Sequence, residues 1–271
     1  MVMADRRAHQ AAISHSISHQ PSAISHPISH QPSAIPLSGA YQARIVAALE
    51  VVICSDFPTQ MATQSLLALV GVRSGAGGSL HIGFVVALSL IDTAMLLGLI
   101  LLCLRAHGER PRDIFLGRRP IAVEAARGVP LILVALAIGV AVLLSAQHFA
   151  PWLHTVEQNP LQGLMRTPRD AWLFALVVVV AGGVREELQR AFLLHRFEVW
   201  LGGGAVGIVV TSAAFGLGHL VQGVDATLAT GLLGAFWGVI YLRRRSVVAP
   251  MVSHAGFDLL QIVQFVGGAA R

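Results

Sequence analysis

The stretch AWLFALVVVVAGGVREELQRAFLLHRFEV, residues 171–199, decides the fold. It is long and apolar enough to cross a bilayer as a helix, since a span needs about 20 mostly apolar residues. Its centre nevertheless carries Glu186, Glu187 and Arg190. Charged side chains in hydrocarbon are costly, and they usually face the interior of a helix bundle and mark a pathway or a reaction site. We therefore expect a membrane helix bundle with a functional centre inside it.

The composition of the whole chain indicates the same class. Hydrophobic residues make up 55% of it and charged residues 12%, and the mean hydropathy of +0.68 exceeds what a soluble domain carries. The predicted fold is an all-α, polytopic membrane helix bundle of about seven transmembrane helices. The spans lie near residues 44–70, 81–104, 121–147, 171–199, 203–222, 224–242 and 249–267. Asp56 and Pro58 interrupt the first span, which predicts a broken helix there.

The first forty residues form a segment of a different character. ISHQPSAI occurs at 17–24 and again at 28–35, in sequence rich in Ser, His and Pro. Such a segment cannot bury enough apolar surface to offset its chain entropy. We predict a disordered low-complexity tail at 1–40 and a membrane-embedded helical domain at 41–271.

The distribution of the basic residues predicts the orientation of the chain in the membrane. All 19 are arginine, six of them in the loop 105–127 and three at 243–245. Arginine-rich loops remain on the cytoplasmic side of a membrane, so the N-terminus is expected there and the C-terminus outside. The expected location is the bacterial inner membrane, and the expected partners are membrane lipid and a protein or peptide substrate, with no nucleic acid.

Two more motifs that contain ionisable residues follow on later apolar segments. Phe215 and His219 share a helix face, as do His254 and Asp258. Glu186 and His219 each lie about 16 residues from the glycine turn at 202–204, which places both side chains about 24 Å from it. A carboxylate and two imidazoles can activate water either directly or through a divalent metal such as zinc.

Glu186 and Arg190 are spaced as an i, i+4 ion pair on one face. Glu187 lies on a different helix face from Glu186 unless the helix is distorted. One carboxylate is therefore expected to form the ion pair while the other acts as the base. The candidate metal ligands are Glu186, His219 and His254.

These elements resemble the CPBP intramembrane proteases, also called the CAAX prenyl protease 2 or Abi family, whose pattern is EExxxR, FxxxH and HxxxN or HxxxD on consecutive membrane helices. The resemblance covers roughly residues 165–267. It implies an endopeptidase acting on membrane-associated or lipidated substrates. The first glutamate and both histidines would activate water, and Asp258 would help to polarise the oxyanion or support the neighbouring histidine. Members differ in whether a metal takes part.

The first element departs from that pattern, because one residue fewer separates the glutamates from Arg190. If Arg190 is aligned with the arginine of the family pattern, Arg185 occupies the position of the base, which would argue against catalytic activity. If the glutamates are aligned, Glu186 is the base and a local helix irregularity absorbs the difference. We favour Glu186, because its depth matches that of His219, with Glu187 as the reserve.

Two other functions remain open. One is a catalytically impaired membrane immunity or scaffold protein of the same family, and the other is a proton- or cation-coupled transporter. The sequence shows no internal repeat of broken helices, which a transporter would favour. It also lacks the HExxH, GxSG and GxGD motifs of other intramembrane hydrolases.

Overall fold

The computed structural model describes residues 37–72, 81–157 and 159–269, and within these ranges it contains helices and no β-strand. This confirms the predicted all-α class. In chain order the helices are α1 (Leu37–Ile53), α2 (Phe57–Leu69), α3 (Ile82–Ala106), α4 (Pro111–Phe115), α5 (Ile121–Phe149), α6 (Pro168–Val177), α7 (Glu187–Trp200), α8 (Gly204–Gly218), α9 (Val224–Arg244) and α10 (Val248–Ala269). A π-helical segment, Val178–Glu186, joins α6 to α7.

Three of the described helices, α3, α5 and α9, are long and apolar enough to cross a membrane. The pair α1–α2 passes the same test as one broken span, bent by 45°. Asp56 lies at this bend with a φ of 75°, just before α2 begins. The break predicted at Asp56 and Pro58 is therefore confirmed, whereas the total of about seven spans stays a prediction. The other predicted spans coincide with the α6–α7 unit, α8 and α10.

The predicted disordered tail falls mostly on residues 1–36, which lie outside the described residues. Helix α1 already begins at Leu37. Residues 37–40, which the sequence analysis assigned to the tail, are therefore helical.

A buried ionic network ties α1 and α7 to the end of the bundle where the predicted arginine-rich loops lie. Arg196 is only 1% exposed and donates to Glu50 at 2.5 Å and to Glu109 at 2.7 Å. His107 lies 2.8 Å from Glu50, and His195 lies 2.8 Å from Glu109. Buried charges need such partners to offset the loss of hydration. The network holds α1 and α7 at one depth relative to each other. It therefore also helps to fix the depth of Glu187, the first residue of α7.

Helix α10 approaches the π-helical segment very closely, and two glycines allow it. A Cβ atom on Gly183 would lie 2.6 Å from the Cβ of Ala255. A Cβ atom on Gly182 would lie 2.8 Å from Oδ2 of Asp258. Real Cβ atoms do not come this close, so α10 can pack against position 183 only when it is glycine, whereas a side chain at position 182 would displace the carboxylate of Asp258. This contact brings the predicted HxxxD and Glu-Glu elements together.

Candidate active site

The two adjacent glutamates lie where the π-helical segment becomes α7. Glu186 is the last residue of the π-helical segment and Glu187 is the first residue of α7. A π-helix adds a residue to each turn and changes the direction of the side chains that follow, and such segments are frequent at functional sites. Glu186 faces a cavity of about 430 Å³, whereas Glu187 does not line it.

Glu187 lies on the buried side of the site, where it contacts both Arg190 and His254. Its side chain is 1% exposed, forms an ion pair with Arg190, and lies 2.8 Å from Nδ1 of His254. The predicted pair of Glu186 with Arg190 is thus wrong, since Arg190 pairs with Glu187, which lies three residues earlier on the regular helix α7. Glu187 is enclosed and already paired, so the glutamate that faces the cavity is Glu186.

His254 presents its other ring nitrogen to the cavity. Nε2 lies 3.6 Å from Oδ2 of Asp258 and 3.9 Å from Oε2 of Glu186. An ionised carboxylate can only accept a hydrogen bond, so Nδ1 carries a proton toward Glu187. The sequence spacing suggested that Asp258 would orient this ring, but the acid bonded to Nδ1 is Glu187. Trp237 stacks on the imidazole, with ring centroids 3.9 Å apart and planes 18° apart.

His219 is placed by the end of α8. It is the residue that caps this helix, and its Nδ1 lies 2.8 Å from the backbone oxygen of Phe215. Because a carbonyl only accepts, Nδ1 carries the proton and Nε2 keeps a lone pair. The Phe215 ring meets both His219 and His254 edge-on, with centroids 4.8 and 6.0 Å away. Phe215 therefore has two roles. Its backbone oxygen fixes the tautomer of His219, and its ring packs against both His219 and His254.

The predicted site residues come together from three parts of the chain. The cavity is lined by Glu186 of the π-helical segment, His219 beyond α8, and His254 and Asp258 of α10. Glu187 and Arg190 support it from behind, and the Arg190 guanidinium lies 4.6 Å from the centre of the Phe215 ring. The arrangement offers a carboxylate and two imidazole nitrogens to a molecule in the cavity, which suits proton transfer to and from water.

In the part of the chain that the structure describes, the candidate metal ligands are not arranged as a metal site. Within the described ranges, no three or more His, Cys, Asp or Glu side chains are arranged to hold a metal ion. Glu186, His219 and His254 share the cavity without forming such a set, so we derive no step through a metal. Whether water is activated directly or through a divalent metal such as zinc is tested by measuring metal content together with activity before and after chelation.

Arg185 connects the site to helices that the sequence analysis did not include. It donates to Asp56 at 2.8 Å and to Asp92 at 2.5 Å, and its Nη2 lies 3.1 Å from Oε1 of Glu186. Asp56 and Asp92 thus share the positive charge of Arg185. Of the three carboxylates that contact Arg185, Glu186 is the one that lines the cavity. This geometry fits the register in which the two glutamates are aligned. Asp92 could have been noticed in the sequence as an isolated acid inside an apolar span.

We predict that Glu187→Gln destabilises the protein. Glutamine keeps the volume of Glu187 but leaves Arg190, which is 5% exposed, without its counter-charge. Breaking a buried ion pair from one side costs about 3–5 kcal/mol. Thermal unfolding in detergent should show a clearly lower midpoint than in Glu157→Gln, a matched change at an exposed glutamate. Equal midpoints for the two variants would contradict this role for Glu187.

Comparison with known proteins gives one match. Residues 168–260 match the family model of Rce1-like domains, described as Type II CAAX prenyl endopeptidase Rce1-like. The matched segment contains all six predicted site residues. No curated protein matches the chain, and no solved structure does.

Proposed function

We propose that this chain, a membrane protein of the CPBP family of CAAX-type proteases through its residues 168–260, is an endopeptidase that uses water activated by Glu186. The substrates we propose are membrane-associated or lipidated proteins or peptides. One observation carries the proposal: Glu186, both motif histidines and Asp258 line the same cavity.

The first step is the attack of water on the peptide carbonyl. Oε1 of Glu186 is hydrogen-bonded to Arg185, while Oε2 points toward His254 and the cavity. In our proposal the water lies between this oxygen and Nε2 of His219. Glu186 takes one proton as the water oxygen bonds to the carbonyl carbon, which gives a tetrahedral intermediate.

His254 stabilises the charge that develops on the carbonyl oxygen. With Nδ1–H donated to Glu187, the ring can donate from Nε2 to the oxyanion only as the imidazolium. Glu187 and Asp258 lie close enough to balance that positive charge. When the carbon–nitrogen bond breaks, Glu186 returns its proton to the leaving amine, and both products depart with the carboxylate restored.

The proposal is tested with purified protein and a labelled membrane-tethered peptide. We expect His219→Ala to lower the cleavage rate by about 10²-fold, because the water loses the hydrogen-bond acceptor that positions it for attack. His148→Ala, at an exposed position of α5, should cleave as the wild type does. Full activity of His219→Ala would reject this site.

The same preparations separate the two alternatives. A wild-type protein that never turns the peptide over but retains a bound partner would support the impaired scaffold. An ion flux into vesicles that requires Glu186 would support the transporter. Neither alternative has an observation in the structure that favours it over cleavage.

A further inference from the structure

The cavity that contains the candidate site extends to one end of the described bundle. Its outer wall comes from the α5–α6 connection through Asn159, Gln162 and Met165, from Gln222 after α8, and from Gln261 in the last part of α10. All of these positions lie at the end where α5 and α8 finish and α6 and α9 begin. In the described ranges, no cavity-lining residue comes from the α3–α5, α7–α8 or α9–α10 connections.

The α5–α6 connection forms a fixed wall of this mouth. The side-chain amide of Asn159 donates to Gln222 at 3.1 Å, which joins the two sides of the opening. His154 lies 2.7 Å from the buried Asp225 at the start of α9. The backbone N–H of Val224 donates to Thr155 at 3.1 Å. The mouth is therefore built from polar groups that are held in place.

The charges on the two ends of the bundle differ strongly. Nine arginines lie in or beside the connections at the closed end: Arg105, Arg110, Arg112, Arg118, Arg119, Arg127, Arg243, Arg244 and Arg245. At the mouth end the described residues include Arg166 and Arg169, accompanied by the acids Glu157 and Asp170. Because arginine-rich connections stay in the cytoplasm, the closed end is the cytoplasmic one.

Aromatic side chains mark the depth of the mouth. Phe149, Trp152 and Trp172 flank the α5–α6 connection and are between 73% and 79% exposed. Exposed tryptophans of membrane proteins collect at the level of the lipid headgroups, where the ring contacts both hydrocarbon and water. The mouth thus lies at a membrane interface.

We propose that the active-site cavity opens to the membrane interface opposite the cytoplasm. Its substrate is then a membrane-anchored polypeptide whose scissile segment lies at the outer surface and enters the cavity as an extended chain. The amides of Gln162, Gln222 and Gln261 can pair with the peptide groups of such a segment. The location of the mouth stands on the geometry and charges alone, whereas the substrate class rests on the proposed endopeptidase function.

The orientation is tested by cysteine labelling with a membrane-impermeant maleimide. Gln162→Cys places an exposed thiol at the mouth, and Arg118→Cys places one at the arginine-rich end. In cells whose outer envelope admits the reagent and whose inner membrane is intact, we expect Gln162→Cys to react and Arg118→Cys to remain unlabelled. Inside-out vesicles should reverse the result. The wild type, with Cys54 and Cys103, supplies the background. The opposite pattern would overturn the proposal.

The substrate class is tested with two peptides that share one anchoring helix. In one, the labelled segment extends from the outer surface, and in the other from the cytoplasmic surface. Cleavage of the outer peptide alone supports the proposal, and cleavage of the cytoplasmic peptide alone overturns it while leaving the endopeptidase function standing. If neither peptide is cleaved by the correctly oriented protein, the endopeptidase function and the substrate class that rests on it both fail.

Discussion

Replacing Glu186 with glutamine is expected to abolish measurable cleavage, with kcat lowered by about 10³-fold and KM nearly unchanged. Glutamine has the size of glutamate and can still accept the hydrogen bond from Arg185, but it cannot take a proton from water. The fold should survive, because Arg185 keeps its contacts with Asp56 and Asp92.

The measurement is single-turnover cleavage of a labelled tethered peptide by purified protein, with the thermal midpoint recorded for each variant. Glu157→Gln serves as the control, since it makes the same chemical change at an exposed position. A Glu186→Gln protein that folds and cleaves as fast as this control would show that another group removes the proton.

Gly183→Ala is expected to lower kcat/KM by about 10²-fold, although the residue touches no substrate. The added methyl group would lie 2.6 Å from the Cβ of Ala255 and 3.2 Å from its Cα. The backbone of α10 must therefore move away and carry His254 with it. A displacement of about 1 Å is enough for a loss of this size. Overpacking of this kind also costs about 1–3 kcal/mol of stability.

Gly98→Ala provides the matched comparison for this prediction. Gly98 is an exposed position of α3, and a Cβ atom there would meet nothing within 4 Å. Alanine is a better helix former than glycine, so this variant should be at least as stable as the wild type and fully active. Activity of Gly183→Ala equal to that of Gly98→Ala would mean that the close packing of α10 is not needed for the site.

The sequence alone was sufficient for the class of fold and for the positions of the main helices. Spans predicted at 81–104 and 121–147 correspond to α3 and α5, because long apolar runs have no other stable arrangement in a membrane. The break at Asp56 was visible for a similar reason, since a proline two residues later prevents the helix from continuing. The three motifs that contain ionisable residues were visible as exceptions to the apolar background.

The pairing of the charges could not be obtained from the sequence. Regular helical spacing predicted Glu186 with Arg190, whereas the structure pairs Arg190 with Glu187. Spacings of three and of four residues both place side chains on one helix face, so spacing alone does not choose between the two glutamates. The π-helical segment that ends at Glu186 is likewise not specified by local propensity, and it lies where α10 packs against Gly182 and Gly183.

What the sequence determined by itself is the membrane class, the course of the spans and the short list of chemically active residues. These follow from local composition and spacing, which act over one or two helical turns. The tertiary structure decided which acid faces the cavity, which acid orients His254, and that Asp56 and Asp92 hold Arg185. Those outcomes depend on contacts between helices more than 60 residues apart in the chain, and only close packing of the folded bundle selects among the partners that spacing allows.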